Sequence, residues 1–328
     1  IDLALFRNRL EFTAEWYKNT SEDLLYAVPV PEQAGVSNTT VTMNAASMNN
    51  SGFEFSATYR NRDHDFKYEV SANLSTLRNR VTSLGFGTDS YISGSYITKV
   101  GEEIGQFYGW VYEGIARTQE VLDNHATQEG AQIGDCLYKD VNNDGKVDSE
   151  DQVVLGSGMP KINFGLNARF EYKRFDLSIA TFGALNYHVS DDIYNSLNSC
   201  YGWGNKEVGM LDANRFSEDG STYLSNVPRT YVTNSASLGW NDLFSSRKIQ
   251  NAAYWKIANV ELGYNFPDKW FDKYVSDVRF YISAQNLHTF TGYHGYNVDY
   301  AGGTFTPGYN FCSYPTARTF MCGVHFTF

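Results

Sequence analysis

The stretch RTFMCGVHFTF, from Arg318 to Phe328, decides how the rest of the chain is read. Its alternate residues Phe320, Cys322, Val324, Phe326 and Phe328 are apolar, and Thr319, Met321, Gly323, His325 and Thr327 stand between them. Successive side chains of a strand point to opposite faces, so the segment predicts a β-strand with one ring-bearing face that ends on an aromatic.

Working back from there, the same zigzag recurs. In LEFTAEWY, Leu10, Phe12, Ala14 and Trp16 oppose Glu11, Thr13, Glu15 and Tyr17, and FKYEVSANL sets Phe66, Tyr68, Val70, Ala72 and Leu74 against Lys67, Glu69, Ser71 and Asn73. INFGLNARFEY and FDLSIATFG repeat it about a turn at Lys173 and Arg174. The pattern predicts an all-β chain with strands at about residues 1–6, 10–17, 53–61, 66–77, 162–172, 175–186, 253–266, 277–287 and 318–328. Turns near Arg7–Arg9, Asn61–Asp65 and Lys173–Arg174 are tight and the one near Pro267–Ser276 is moderate, whereas the segments at about 18–52, 78–161, 187–252 and 288–317 are very long. Short and long connections therefore fall at opposite ends of the strands.

Globular domains seldom carry several structureless loops of that length. Outer-membrane barrels do so as a rule, with short turns on the periplasmic side and long loops outside. A soluble β-sandwich also alternates, because one face of each sheet meets the core, and no single strand separates the two. Loop asymmetry, the terminal Phe328 and the ring content, 24 Tyr and 22 Phe in 328 residues, favour a transmembrane antiparallel up-and-down barrel. No run of about eighteen apolar residues could cross a bilayer as a helix. A net charge of −11 without clustered Lys and Arg excludes a nucleic-acid partner. Cys136, Cys200 and Cys312 fall in segments read as irregular and Cys322 in the last strand, with no metal spacing and no disulfide expected. The chain opens on Ile1, as a processed protein or one that begins inside a longer polypeptide would.

DVNNDGKVDSED, Asp140 to Asp151, is the sharpest local motif. Asp140, Asn142 and Asp144 occupy positions 1, 3 and 5 of a calcium loop, Gly145 the turn at 6, Lys146 the carbonyl at 7, Asp148 position 9 and Asp151 position 12. Hard oxygen donors at that spacing suit structural calcium, although position 12 is Asp where an EF-hand has Glu. The alternative is a solvated acidic turn without metal. No catalytic constellation accompanies the loop, and the adjacent pair Asp191 and Asp192 reads as solvated, so an enzyme is not expected. The outward loops mix rings with Asn, Asp and Gly, which gives Tyr201, Trp203, Trp240, Tyr293, Tyr296 and Tyr300 as candidate contacts for a glycan or peptide; girdle or interface packing is the competing use of such rings.

The segments Asn50–Val81, Ile104–Asn124, Tyr138–Leu185, Tyr254–Pro267, Tyr281–Asp299 and Ser313–Phe328, in this order, resemble the C-terminal part of the SusC-like TonB-dependent outer-membrane transporters of Bacteroidetes. The resemblance implies a 22-stranded barrel closed by a plug, a SusD-like surface lipoprotein as lid, energy supplied through TonB, and import of oligosaccharides or peptides. It makes residues 1–328 the last nine or ten strands, without plug domain or N-terminal strands, the rest coming from another chain or the N-terminal part. Phe320, Phe326 and Phe328 then resemble the signal read by the barrel-assembly machinery. The other function classes open to the sequence are a passive porin and a secreted calcium-dependent glycan-binding β-sandwich.

Overall fold

The computed structural model describes residues 1–29, 40–85, 87–200, 204–230, 236–267, 275–299 and 302–328. Nine strands succeed one another in a single antiparallel sheet: β1 (Asp2–Leu5), β2 (Leu10–Pro29), β3 (Thr40–Asn61), β4 (Phe66–Thr76), β5 (Ile162–Tyr172), β6 (Phe175–Leu185), β7 (Tyr254–Asn265), β8 (Asp277–Thr291) and β9 (Thr319–Thr327). Each pairs with the next, and the short strand Arg78–Ser83 joins the upper part of β3. Among the described residues β1 and β9 are the free edges, so the sheet is an open wall. No helix among them is long and apolar enough to cross a membrane.

All nine expected strands are present, but one expected loop is not. The segment at about 18–52 is largely the upper halves of β2 and β3, paired from Lys18 with Ser51 up to Pro29 with Thr40. Polar residues such as Asn49 and Asn50 conceal these halves, because above the bilayer neither face of a strand needs to be apolar. The turn expected near Pro267–Ser276 lies mostly outside the described residues. Where β3 changes partner from β4 to Arg78–Ser83, Gly52 is required: a Cβ there would lie 1.9 Å from the carbonyl oxygen of Thr76.

Register shows what each face does. One row across the wall reads Phe66, Tyr172, Phe175, Tyr264, Phe280 and Val324, and another reads Phe55, Leu74, Phe164, Gly183, Trp255 and Phe290. Between them run Val70, Ala168, Ile179, Val260, Ala284 and Phe320. From Phe66 to Leu74 the chain advances eight residues, about 27 Å along a strand, which strand tilt reduces to about 20 Å of height. An apolar belt of that height, edged above and below by rings, matches the hydrocarbon slab and its interfaces. The rings lie open on this face, with Phe320 70%, Phe326 52% and Phe328 88% exposed, whereas a sandwich would bury them. The other face carries Arg60, Glu69, Arg169, Ser178, Glu261 and Ser283 in one row.

Two bulges break the zigzag. One falls between Ala180 and Thr181 of β6 opposite β7, the other between Ile257 and Asn259 of β7 opposite β8. An extra residue in a ladder reverses the facing of the side chains beyond it, so Trp255 and Ile257 share the outer face with Val260 and Leu262 although their parities differ.

The buried core sits beyond the upper rim. Ala184, Tyr187, Val189, Ala252, Tyr293 and Val298 form one cluster, and Cys136, Tyr138 and Val147 form the heart of another. The long segments after β4 and β6 therefore hold short strands and turns of their own. Cys136 is one correction: it lies in the strand Cys136–Tyr138 and not in irregular chain.

Candidate functional site

The Asp140–Asp151 loop is folded on its own amides. Oδ2 of Asp140 accepts the Gly145 N–H at 2.8 Å, Oδ1 of Asn142 that of Asp144 at 2.9 Å, and Oδ1 of Asp144 that of Lys146 at 2.9 Å. Gly145 supplies the left-handed turn, with φ at +86°. Asp148 caps the short turn Ser149–Asp151 through the Glu150 N–H. Asp151 is buried, and its carboxylate accepts from Val141 at 2.8 Å and Asp148 at 2.9 Å. Burial is the largest influence on Asp151 and opposes its ionisation, but the amides of Asp148, Val141 and Asn142 together outweigh it and hold the carboxyl below its ordinary value. The donor chemistry, all oxygen with a glycine at the turn, fits a hard divalent cation. Among the described residues no three His, Cys, Asp or Glu are gathered into a ready cage, so a metal would draw these oxygens away from the amides.

Backbone bonds tie this loop to two tryptophans. Thr127 is stitched to it by its own N–H to Gly145 O at 2.8 Å and by Val147 N–H to its carbonyl at 3.0 Å. Two residues on, the Glu129 carbonyl accepts the Trp240 indole N–H at 2.8 Å, and the Asp148 carbonyl accepts the Trp110 N–H at 2.9 Å. The Tyr138 hydroxyl donates to the carbonyl of Trp240, fixing that turn from below. Between the rings opens a groove of about 560 Å³, with Leu243 as its apolar lining and Glu129, Asp148 and Ser149 around it.

Of the other ring candidates, Tyr201, Trp203 and Tyr300 lie outside the described residues. Tyr296 is exposed. Tyr293 is buried: its hydroxyl bonds Oδ2 of Asp191 and receives Asn310 Nδ2 at 2.8 Å, while Asp191 also caps Tyr194. Burial, then the bond to Asp191, pushes the Tyr293 phenol well above its ordinary value. Asp191 is thereby a second correction, since it is buried and bonded where a solvated acid was expected. A comparable knot, which the sequence did not reveal, holds the groove's far side: Asp135 is fully buried, pairs with Arg229 and accepts Asn241 Nδ2 at 2.8 Å.

The segment after β8 is moored to the wall. Lys256 on the inner face of β7, almost fully buried, pairs with Asp299 at 2.5 Å and lies over the Phe182 ring. Further along, the Pro307 carbonyl approaches Gly158 so closely that a Cβ there would stand 2.0 Å from it. Near the opposite end of the inner face, Arg279 bridges Asp176 and Glu261. Arg62, Lys67, Glu69, Arg169 and Glu171 line a cavity of about 510 Å³ there.

An antiparallel wall with an apolar outer belt, a charged inner face and elaborate structure on one rim defines the class: a segment of a transmembrane β-barrel. No family model matches the chain. It is 30% identical over 347 residues to TonB-dependent receptor P3 of Formosa agariphila, an alignment taking in 100% of this chain and 33% of that protein. It is 25% identical over 335 residues to TonB-dependent receptor SusC of Bacteroides thetaiotaomicron, with 100% and 31% covered. The structure of the RagAB peptide transporter superposes with a TM-score of 0.78 over 98% of this chain and 34% of that one, at 22% identity, which speaks for the fold. Over its whole length the chain is similar to SusC-like TonB-dependent receptors, and it spans about a third of the length of the curated relatives it matches.

Proposed function

We propose that the chain is the C-terminal wall and outward loops of an outer-membrane importer that passes oligosaccharides or peptides, working under a SusD-like lipoprotein and driven through TonB. The single observation that carries this reading is the outer belt between the rows of Phe66 and Leu74, which leaves the charged face for a lumen. The unpaired edges β1 and β9 would be prohibitive in lipid, so further strands, from the N-terminal part or another chain, complete the ring. Phe320, Phe326 and Phe328 serve as the assembly signal at the last strand. Calcium held by Asp140, Asn142, Asp144, Asp151, the Lys146 carbonyl and Asp148 stiffens the outward loop and does no chemistry.

Uptake of a labelled oligosaccharide or peptide mixture by cells expressing the intact protein tests the reading. Uptake is expected to stop when TonB is deleted. Uptake that continues without TonB would instead establish a passive porin.

A further inference from the structure

We infer that the groove between Trp110 and Trp240 receives a basic side chain, Arg or Lys, of an incoming peptide. The inference rests on the importer reading and narrows its cargo. Both indole N–H groups are spent on the backbone carbonyls of Asp148 and Glu129, so what the tryptophans offer a guest is their faces. Those faces carry the negative end of the ring quadrupole and attract a cation placed over them. Glu129 adds an exposed carboxylate, and among the described residues lining the groove none is basic. A neutral sugar would stack equally well but gain nothing from this charge; a guanidinium gains from both the faces and the Glu129 carboxylate, which its planar fork suits. The groove is also held in shape beforehand, by the Thr127 stitch on one side and the Tyr138 hydroxyl on the other, so little ordering opposes binding.

The test is calorimetric binding to the intact protein purified in detergent, with Gly-Arg-Gly, Gly-Gln-Gly and maltotriose as probes. Gly-Arg-Gly is expected to bind at least tenfold more tightly than either neutral probe and to weaken with added salt. Glu129→Gln, a change at an exposed side chain, is expected to erase most of that preference, and Trp110→Ala to weaken Gly-Arg-Gly about tenfold. Equal affinity for Gly-Gln-Gly, tighter binding of maltotriose, or an arginine preference untouched by Glu129→Gln overturns the inference. These results stand apart from TonB-dependent uptake: import that persists without any preference for basic peptides sinks the groove assignment alone.

Discussion

Nε of Arg279 on β8 lies 2.9 Å from Oδ1 of Asp176 on β6, and its Nη2 reaches Glu261 on the strand between at 2.8 Å. One guanidinium thus clasps three neighbouring strands. Removing a single partner of a buried ion pair costs about 3–5 kcal/mol, and the partial exposure of Arg279 lowers that here to about 2–3 kcal/mol. Arg279→Met is expected to destabilise the folded barrel by this amount, measured as a fall in the urea midpoint in detergent micelles. Arg279→Lys should recover less than half, because an ammonium cannot form the fork.

Facing can be tested with neighbours. Val70 lies in the middle row of the outer belt and Ser71 points inward. An Arg on the lipid face near the midplane costs about 2–4 kcal/mol, so Val70→Arg is expected to lose that much stability in liposome folding titrations. Ser71→Arg is expected to change it by less than about 1 kcal/mol, lumen substitutions being tolerated. Reversed magnitudes would mean the two faces have been exchanged.

Thiol chemistry reports on the outward core. Burial pushes the Cys136 thiol from 9.0 up to about 12 and Cys200 up to about 11. At pH 8 only about one part in ten thousand of Cys136 is thiolate, so neither buried cysteine should label with maleimide in the folded protein, while the exposed Cys312 does. A thiol with a raised folded value adds stability that is complete below 9.0 and is lost as pH climbs towards about 12. Cys136→Ala is expected to flatten part of the alkaline fall in melting temperature over that window.

If calcium occupies the Asp140–Asp151 loop, added calcium should slow amide exchange of Thr127 and Val147, whose backbone bonds stitch the loop to its neighbour, at least tenfold, and a chelator should restore it. Asp140→Ala should abolish the response while leaving the barrel's urea midpoint unchanged. No calcium response in the unaltered protein would leave the solvated acidic turn as the better account.

Much of the wall was legible because lipid imposes a two-residue period, and the segments facing the belt obey it except across the bulge in β7. The upper parts of β2 and β3 were not, since from Lys18 to Pro29 the strand stands in water and its sequence is free of that demand. Nor did alternation alone place Trp255 relative to Val260, because the bulge at Ala258 reverses the count. Asp140 to Asp151 announced itself, being a contiguous motif. The groove did not: Trp110, Glu129 and Trp240 meet from separate stretches of chain, and their recognisable parts, the indole N–H groups, are satisfied by carbonyls that carry no side-chain identity. Asp191 looked like an ordinary surface acid because Tyr293 and Asn310, which bury it, arrive from more than a hundred residues away.

The Lys256–Asp299 pair thickens one flank of the wall. A strap fastened against the inner face fills space that a bare sheet would leave open, and in an importer of the kind proposed it would steer cargo away from this bank. Cutting that fastening would free the space without altering a single residue of the apolar belt.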